Sequence, residues 1–221
     1  MAYGLHWEWR GFGTLDDAVL DRLSDLGFPS GVQEIVDRYI WTPHIRVNLK
    51  VRSWSGGRSL KLKRPVDLDP ESGLELWTEH PDDDHQLPLT PETATSILTE
   101  LGFPADFSIA TVEENNLVES IQRAVPETRV VTVRKHRART VTRVGTTMVQ
   151  VERAEILEPQ LIASIGIEDV SELAHDSPTS TLDDARHAVR DMRDRLAPQW
   201  KTCSYLCAVG TWARGELLDL T

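Results

Sequence analysis

Four segments of this chain alternate charged and apolar residues with a period of two, a pattern that suits a β-strand with one polar and one apolar face. Residues 5–10 put His6, Glu8 and Arg10 on one side, with Trp7 and Trp9 on the other. Residues 45–52 set Arg46, Asn48, Lys50 and Arg52 against Ile45, Val47, Leu49 and Val51. Lys61 and Lys63 oppose Leu60 and Leu62, and residues 129–141 align Lys135, Arg137 and Arg139. Four such strands predict a sheet with a shared cationic face. A solvated face would carry the acids of a chain whose net charge is −11, yet here the acids fall mainly in helices and loops. Like charges on neighbouring strands repel, so the face calls for a bound anion or interleaved carboxylates. Glu8, Glu75, Glu152 and Glu168 are placed to supply some of the latter.

The remaining segments fill out an α+β class. Strands are expected over 4–13, 31–41, 44–53, 58–65, 73–79, 129–141, 146–156 and 161–169. The Ser55–Gly57 turn forms one hairpin. Thr14 opens a helix that stops at Gly27 and Pro29, and residues 181–196 form an amphipathic helix. Residues 105–125 read as a short strand and a helix from about Asn116 to Val125, the acidic stretch at 79–86 reads as a loop, and 200–221 carry no clear pattern. LSDLGFP at 23–29 recurs as LTELGFP at 98–104, which suggests two related halves. Hairpin-like connections between about eight strands favour an antiparallel barrel with three or four helices outside it.

A chain of 221 residues with 27% charged residues fits one large domain over 1–221. Its apolar stretches are too short to span a bilayer as a helix, and residues 1–10 lack a signal-peptide core, so the expected location is the cytoplasm. The acidic balance disfavours nucleic acid as a general partner, although RKHRAR at 134–139 leaves RNA binding as an alternative. Cys203 and Cys207 lack metal-ligand or redox-motif spacing and are expected to be buried or half-buried thiols.

The order of these motifs resembles the CYTH superfamily, the triphosphate tunnel metalloenzymes, which include class IV adenylate cyclases and thiamine or inorganic triphosphatases. The resemblance spans about residues 5–170. It runs through His6-x-Glu8-x-Arg10, Lys50-x-Arg52, LKLKRP with Lys63 and Pro65, LELW with Glu75, Lys135-x-Arg137, VERAE with Glu152, and SIGIED with Glu168. It departs from the family pattern where His6 stands for a glutamate, Arg10 for a lysine and Gly166 for the first glutamate of an ExE pair, and an insertion precedes the KxR strand.

The resemblance implies an eight-stranded tunnel that binds a triphosphate, nucleotide or polyphosphate through Arg10, Lys50, Arg52, Lys61, Lys63, Lys135, Arg137 and Arg139. It implies Mg²⁺ or Mn²⁺ on Glu8, Glu152, Glu168 and His6, with Glu8 and Glu168 as the catalytic carboxylates of a triphosphatase. The imidazole of His6 weakens a hard-cation site but suits Mn²⁺ or Zn²⁺. A non-catalytic binding module of the same fold is the alternative, and a homodimer is compatible with either.

Overall fold

The computed structural model describes residues 4–44, 46–79, 84–105, 107, 109–170 and 181–220. Eight strands close into an antiparallel barrel: β1 (Gly4–Gly13), β2 (Gln33–Trp41), β3 (Asn48–Trp54), β4 (Gly57–Asp69), β5 (Leu74–Glu79), β7 (Arg129–Val144), β8 (Thr147–Glu158) and β9 (Ile162–Asp169). Around the barrel they run β1-β5-β4-β3-β2-β7-β8-β9, and the pairing of β9 with β1 completes the circuit. Closure leaves no barrel edge exposed and converts the shared charged face into an interior. Two short strands, β6 (Asp84–Gln86) and β10 (Lys201–Thr202), add to β4 and β1.

The alternating pattern survives in the pairing. Lys50 lies opposite Lys61 and Asn48 opposite Lys63 across β3 and β4, and Arg139 lies opposite Glu152 across β7 and β8. The apolar faces of the same strands point outward and are covered by helices. Helices α1 (Asp17–Ser24) and α4 (Leu182–Leu196) pack over Trp7, Trp9, Val149, Val151, Ile165 and Ile167. Helices α2 (Pro91–Glu100) and α3 (Glu114–Ala124) cover Leu49, Val51, Leu60 and Leu62. Helix α4 starts at a capping box in which Thr181 and Asp184 satisfy each other's backbone N–H groups. The repeated LGFP sequences end α1 and α2 by the same device: Gly27 and Gly102 take φ of 65° and 81°, where a side chain would be strained.

Several details differ from the sequence-based expectation. Residues 84–86, expected to be loop, pair with β4 because their backbone meets an otherwise open stretch of that strand; residues 80–83 lie outside the described region. Arg46 precedes β3 and is exposed, so it does not join the inner face, and Ile45 lies outside the described residues. Of the short strand expected within 105–125, the described residues show one bridge, between Leu89 and Val112. Residues 205–213 form a fifth described helix, α5 (Tyr205–Ala213).

Helix α5 determines the shape of the interior. Phe12, Tyr39, Val131, Val133, Ile156 and Ile162 belong to the inward-facing register, and α5 packs Tyr205, Ala208, Val209 and Trp212 onto them. One end of the barrel is thereby filled with apolar and aromatic side chains, and the charged residues line the rest. Cys203 is buried just ahead of α5, whereas Cys207 is exposed on its outer side rather than half-buried; both are free thiols. No helix among the described residues is long and apolar enough to cross a membrane.

Candidate functional site

The barrel interior holds a cavity of about 520 Å³. Strand β1 contributes His6, Glu8 and Arg10, β3 contributes Asn48, Lys50 and Arg52, and β4 contributes Lys61 and Lys63. Lys135 and Arg139 come from β7, Gln150 and Glu152 from β8, Glu168 from β9 and Tyr205 from α5. Seven Lys or Arg side chains share this cavity with six carboxylates, so its character depends on which charges are already paired.

Glu152 is the hub of the deep part. Arg10 Nη1 and Lys135 Nζ each donate to its Oε1 at 3.2 Å, while Arg139 Nε and Arg137 Nη1 reach Oε2 at 2.9 and 3.4 Å. Burial pushes the Glu152 carboxyl up, but Lys135, Arg10, Arg139 and Arg137 outweigh it and hold the group well below the usual carboxylate range. On β2, Asp37 plays the corresponding part: it is fully buried and accepts two hydrogen bonds from Arg52, at 2.7 and 2.8 Å. Burial opposes its ionisation, and Lys50 and Arg52 more than compensate. Tyr205 completes this region. Its hydroxyl lies 3.0 Å from Lys135 Nζ, its ring lies 4.5 Å beneath the Arg10 guanidinium, and it stacks on Tyr39.

A second cluster gathers His6, Glu8 and Glu168, whose potential ligand atoms all lie within 4.8 Å of one another. Glu8 and Glu168 meet because their strands pair directly at those positions. Lys63 bonds to Glu8 and lies 3.8 Å from Glu168, and Gln150 donates to Glu168. Burial raises the Glu8 carboxyl, but Lys63 and then Arg10 bring it down to about 2. Burial and the charge of Lys63 lower His6 to about 4, so its imidazole is neutral at pH 7 with a lone pair free for a cation. One nitrogen and two carboxylate oxygens at this spacing fit a single divalent ion.

Of the anion-binding residues named from sequence, Arg10, Lys50, Arg52, Lys61, Lys63, Lys135 and Arg139 line the cavity. Arg137 lies on the same face without lining the cavity: Nε and Nη2 donate to Gln33 at 3.2 and 2.9 Å, and Nη1 donates to Glu152. Of the four metal-site candidates, Glu152 stands apart from the other three, engaged by the cations around it. The departures at Arg10 and Gly166 are linked: a Cβ at Gly166 would stand 2.4 Å from Arg10 Nη2, so the glycine makes room for the longer cation. Asp37, Tyr39 and Tyr205 were missed; the Asp37-x-Tyr39 alternation on β2 was the available signal for the first two. The run at 134–139 divides between two faces. Arg134 is exposed beside Glu158 and Ala138 is buried, while Lys135, Arg137 and Arg139 point inward.

No protein-family model matches the chain, and no curated protein matches it in sequence. Solved structures that align with the chain include a protein from Pyrococcus horikoshii OT3, at 15% identity and a TM-score of 0.48, covering 92% of this chain and 97% of that one. A Bacillus halodurans protein carrying the name "putative adenylate cyclase" aligns at 12% identity and a TM-score of 0.47 over 89% and 92% of the two chains. A conserved hypothetical protein from Pyrococcus furiosus aligns at 16% identity and a TM-score of 0.42, covering 86% of this chain and 90% of that one.

Proposed function

We propose that this chain binds a triphosphate inside its barrel and hydrolyses it with the help of one divalent cation, as a divergent member of the CYTH superfamily. The observation that carries this reading is the adjacency of two unlike sites in one cavity. A wall of Lys and Arg suits the anion, and the His6–Glu8–Glu168 cluster suits the cation. Inorganic triphosphate carries about four negative charges at neutral pH, and each charge-assisted hydrogen bond to it contributes on the order of 1.5–3 kcal/mol. Arg52, Lys135 and Arg10 are held by Asp37, Glu152 and Tyr205 and are therefore oriented before any ligand arrives. A Mg²⁺ or Mn²⁺ ion on His6, Glu8 and Glu168 would polarise a phosphoryl oxygen. Lys63 and Arg10 keep Glu8 ionised at that spot, while burial raises the Glu168 carboxyl, and Gln150 donates to Glu168 through its amide.

One contact favours the alternative of a binding module without turnover. The Lys63 ammonium is bonded to Glu8 and near Glu168, so it competes with a metal for the same oxygens. Release of phosphate and pyrophosphate from ATP and tripolyphosphate, each with Mg²⁺ and with Mn²⁺, separates the readings. Hydrolysis requires turnover in at least one of these mixtures, and Glu8→Gln should abolish that turnover while leaving ligand affinity within about threefold. Binding without turnover in all of them would establish the module.

A further inference from the structure

Cys203 and Cys207 do not line the cavity, and their spacing in the chain matches no redox motif. The fold nevertheless brings them together. Cys203 immediately precedes Ser204, the N-cap of α5, and Cys207 is the third residue of that helix. The Cys203 thiol lies 3.5 Å from the Ser204 carbonyl oxygen. That oxygen accepts from the Ala208 N–H at 2.9 Å, so the Cys203 sulfur rests on the first turn of α5, next to Cys207. There the two thiols interact directly. Their settings are opposite. Cys203 is 8% exposed, and its backbone N–H donates to the Arg10 carbonyl of β1 at 3.0 Å. Cys207 is exposed, and its N–H donates to Ser204 Oγ at 3.2 Å.

We propose that Cys203 and Cys207 are a peroxide-reactive thiol pair that closes into an intrachain disulfide at the start of α5, with Cys207 as the attacking sulfur and Cys203 as the resolving one. The thiolate is the reactive form of a cysteine. Interaction with Cys203 brings the Cys207 thiol down to about 6; burial opposes this, and the charges of Arg214 and Lys201 add to it. A place in the first turn of a helix favours the anion further. The same interaction, with burial, pushes the Cys203 thiol up and keeps its proton in place. In the first step the Cys207 thiolate attacks one oxygen of hydrogen peroxide. An S–O bond forms, the O–O bond breaks, hydroxide leaves, and Cys207 becomes a sulfenic acid. In the second step Cys203 attacks the Cys207 sulfur, an S–S bond forms and the S–O bond breaks. The Cys203 proton goes to the departing hydroxide, which leaves as water. The two electrons given up by the sulfur atoms are those that the peroxide accepts. The bond closes a loop around Tyr205, whose hydroxyl reaches Lys135 and whose ring lies beneath Arg10.

Treatment of the reduced 221-residue chain with a slight excess of hydrogen peroxide, followed by thiol titration and mass spectrometry, tests this. Both thiols should disappear together, with loss of two hydrogens and no oxygen added at either cysteine. Non-reducing electrophoresis should show a single uncrosslinked chain, and dithiothreitol should restore both thiols. Cys203→Ser should stop at the sulfenic acid of Cys207, which dimedone captures. The same variant should shift the pH midpoint of Cys207 alkylation by iodoacetamide upward from the parent's. Persistence of both thiols in the parent overturns the proposal. So does loss of Cys207 with Cys203 still titratable, or a disulfide that joins two chains. A midpoint for Cys207 in the parent at the ordinary cysteine value, about 8.5, overturns it as well. The parent measurements decide the matter even if the serine variant does not fold.

Discussion

Glu152 concentrates the electrostatics of the cavity at one residue, because a single buried carboxylate holds together Arg10, Lys135, Arg137 and Arg139. Removing one partner of a buried ionic network is expensive, since the remaining charges lose compensation without regaining water. Glu152→Gln should lower unfolding free energy by about 3–5 kcal/mol, measured by urea denaturation. The same variant leaves more uncompensated cation in the cavity, so tripolyphosphate should raise its melting temperature by more than it raises that of the parent. An equal shift in both would mean that Glu152 and the ligand do not share those cations. Gly166 offers a finer probe. Its missing side chain accommodates Arg10, so Gly166→Ala should displace the guanidinium from Glu152 and weaken tripolyphosphate binding by about tenfold, the value of one charge-assisted contact.

At the level of elements, the strands were legible and the end of the chain was not. Alternation in β1, β3, β4 and β7 placed His6, Glu8, Arg10, Lys50, Arg52, Lys61, Lys63, Lys135 and Arg139 on common faces, and barrel closure turned those faces inward together. Residue parity alone could not show that Arg137, on the same face, would be taken up by Gln33 and Glu152 instead of lining the cavity. Helix α5 was missed for a different reason. Its residues YLCAVGTWA are apolar on most sides, since the helix packs onto the barrel's own interior and lacks a broad polar face. The helix nonetheless fixes the site's floor through Tyr205. Trp212→Ala should cost about 3–5 kcal/mol in stability as a large-to-small core change. Tyr205→Phe keeps the ring under Arg10 and removes only the hydroxyl beside Lys135. Calorimetry should show a smaller loss of ligand affinity for that variant than for any variant that displaces Arg10.

For the whole molecule, the cavity ties both stability and binding to pH, with opposite trends. Asp37 and Glu152 have folded-state pKa values below the ordinary carboxylate range, despite burial, because of the cations around them. A depressed folded pKa adds stability that is fully present above about pH 4.5 and lost as pH falls through the folded value. The urea midpoint should therefore fall as the pH is lowered below about 4.5. Lys50 behaves in the reverse sense for ligand binding. Burial lowers its pKa, Asp37 on β2 raises it, and Arg52 on its own strand, Lys135 on β7 and Lys63 on β4 lower it further, to about 7; Tyr39 on β2 and Lys61 on β4 also face it. A bound phosphoryl oxygen favours the protonated amine, so binding takes up a proton once the free amine begins to lose it. Anion affinity should decline as pH rises above 7, and Lys50→Arg should remove most of that decline.

The proposed function requires the barrel interior to hold an anion, although the chain as a whole is acidic. Isothermal titration of tripolyphosphate into the parent protein and into Arg52→Ala, at pH 6.5 and low ionic strength, tests it most directly. The parent should show saturable one-to-one binding, weakened about tenfold or more in Arg52→Ala through loss of a charge-assisted contact inside the barrel. No heat of binding in the parent by calorimetry, with no accompanying rise in its melting temperature, would contradict it. So would binding that Arg52→Ala leaves unchanged.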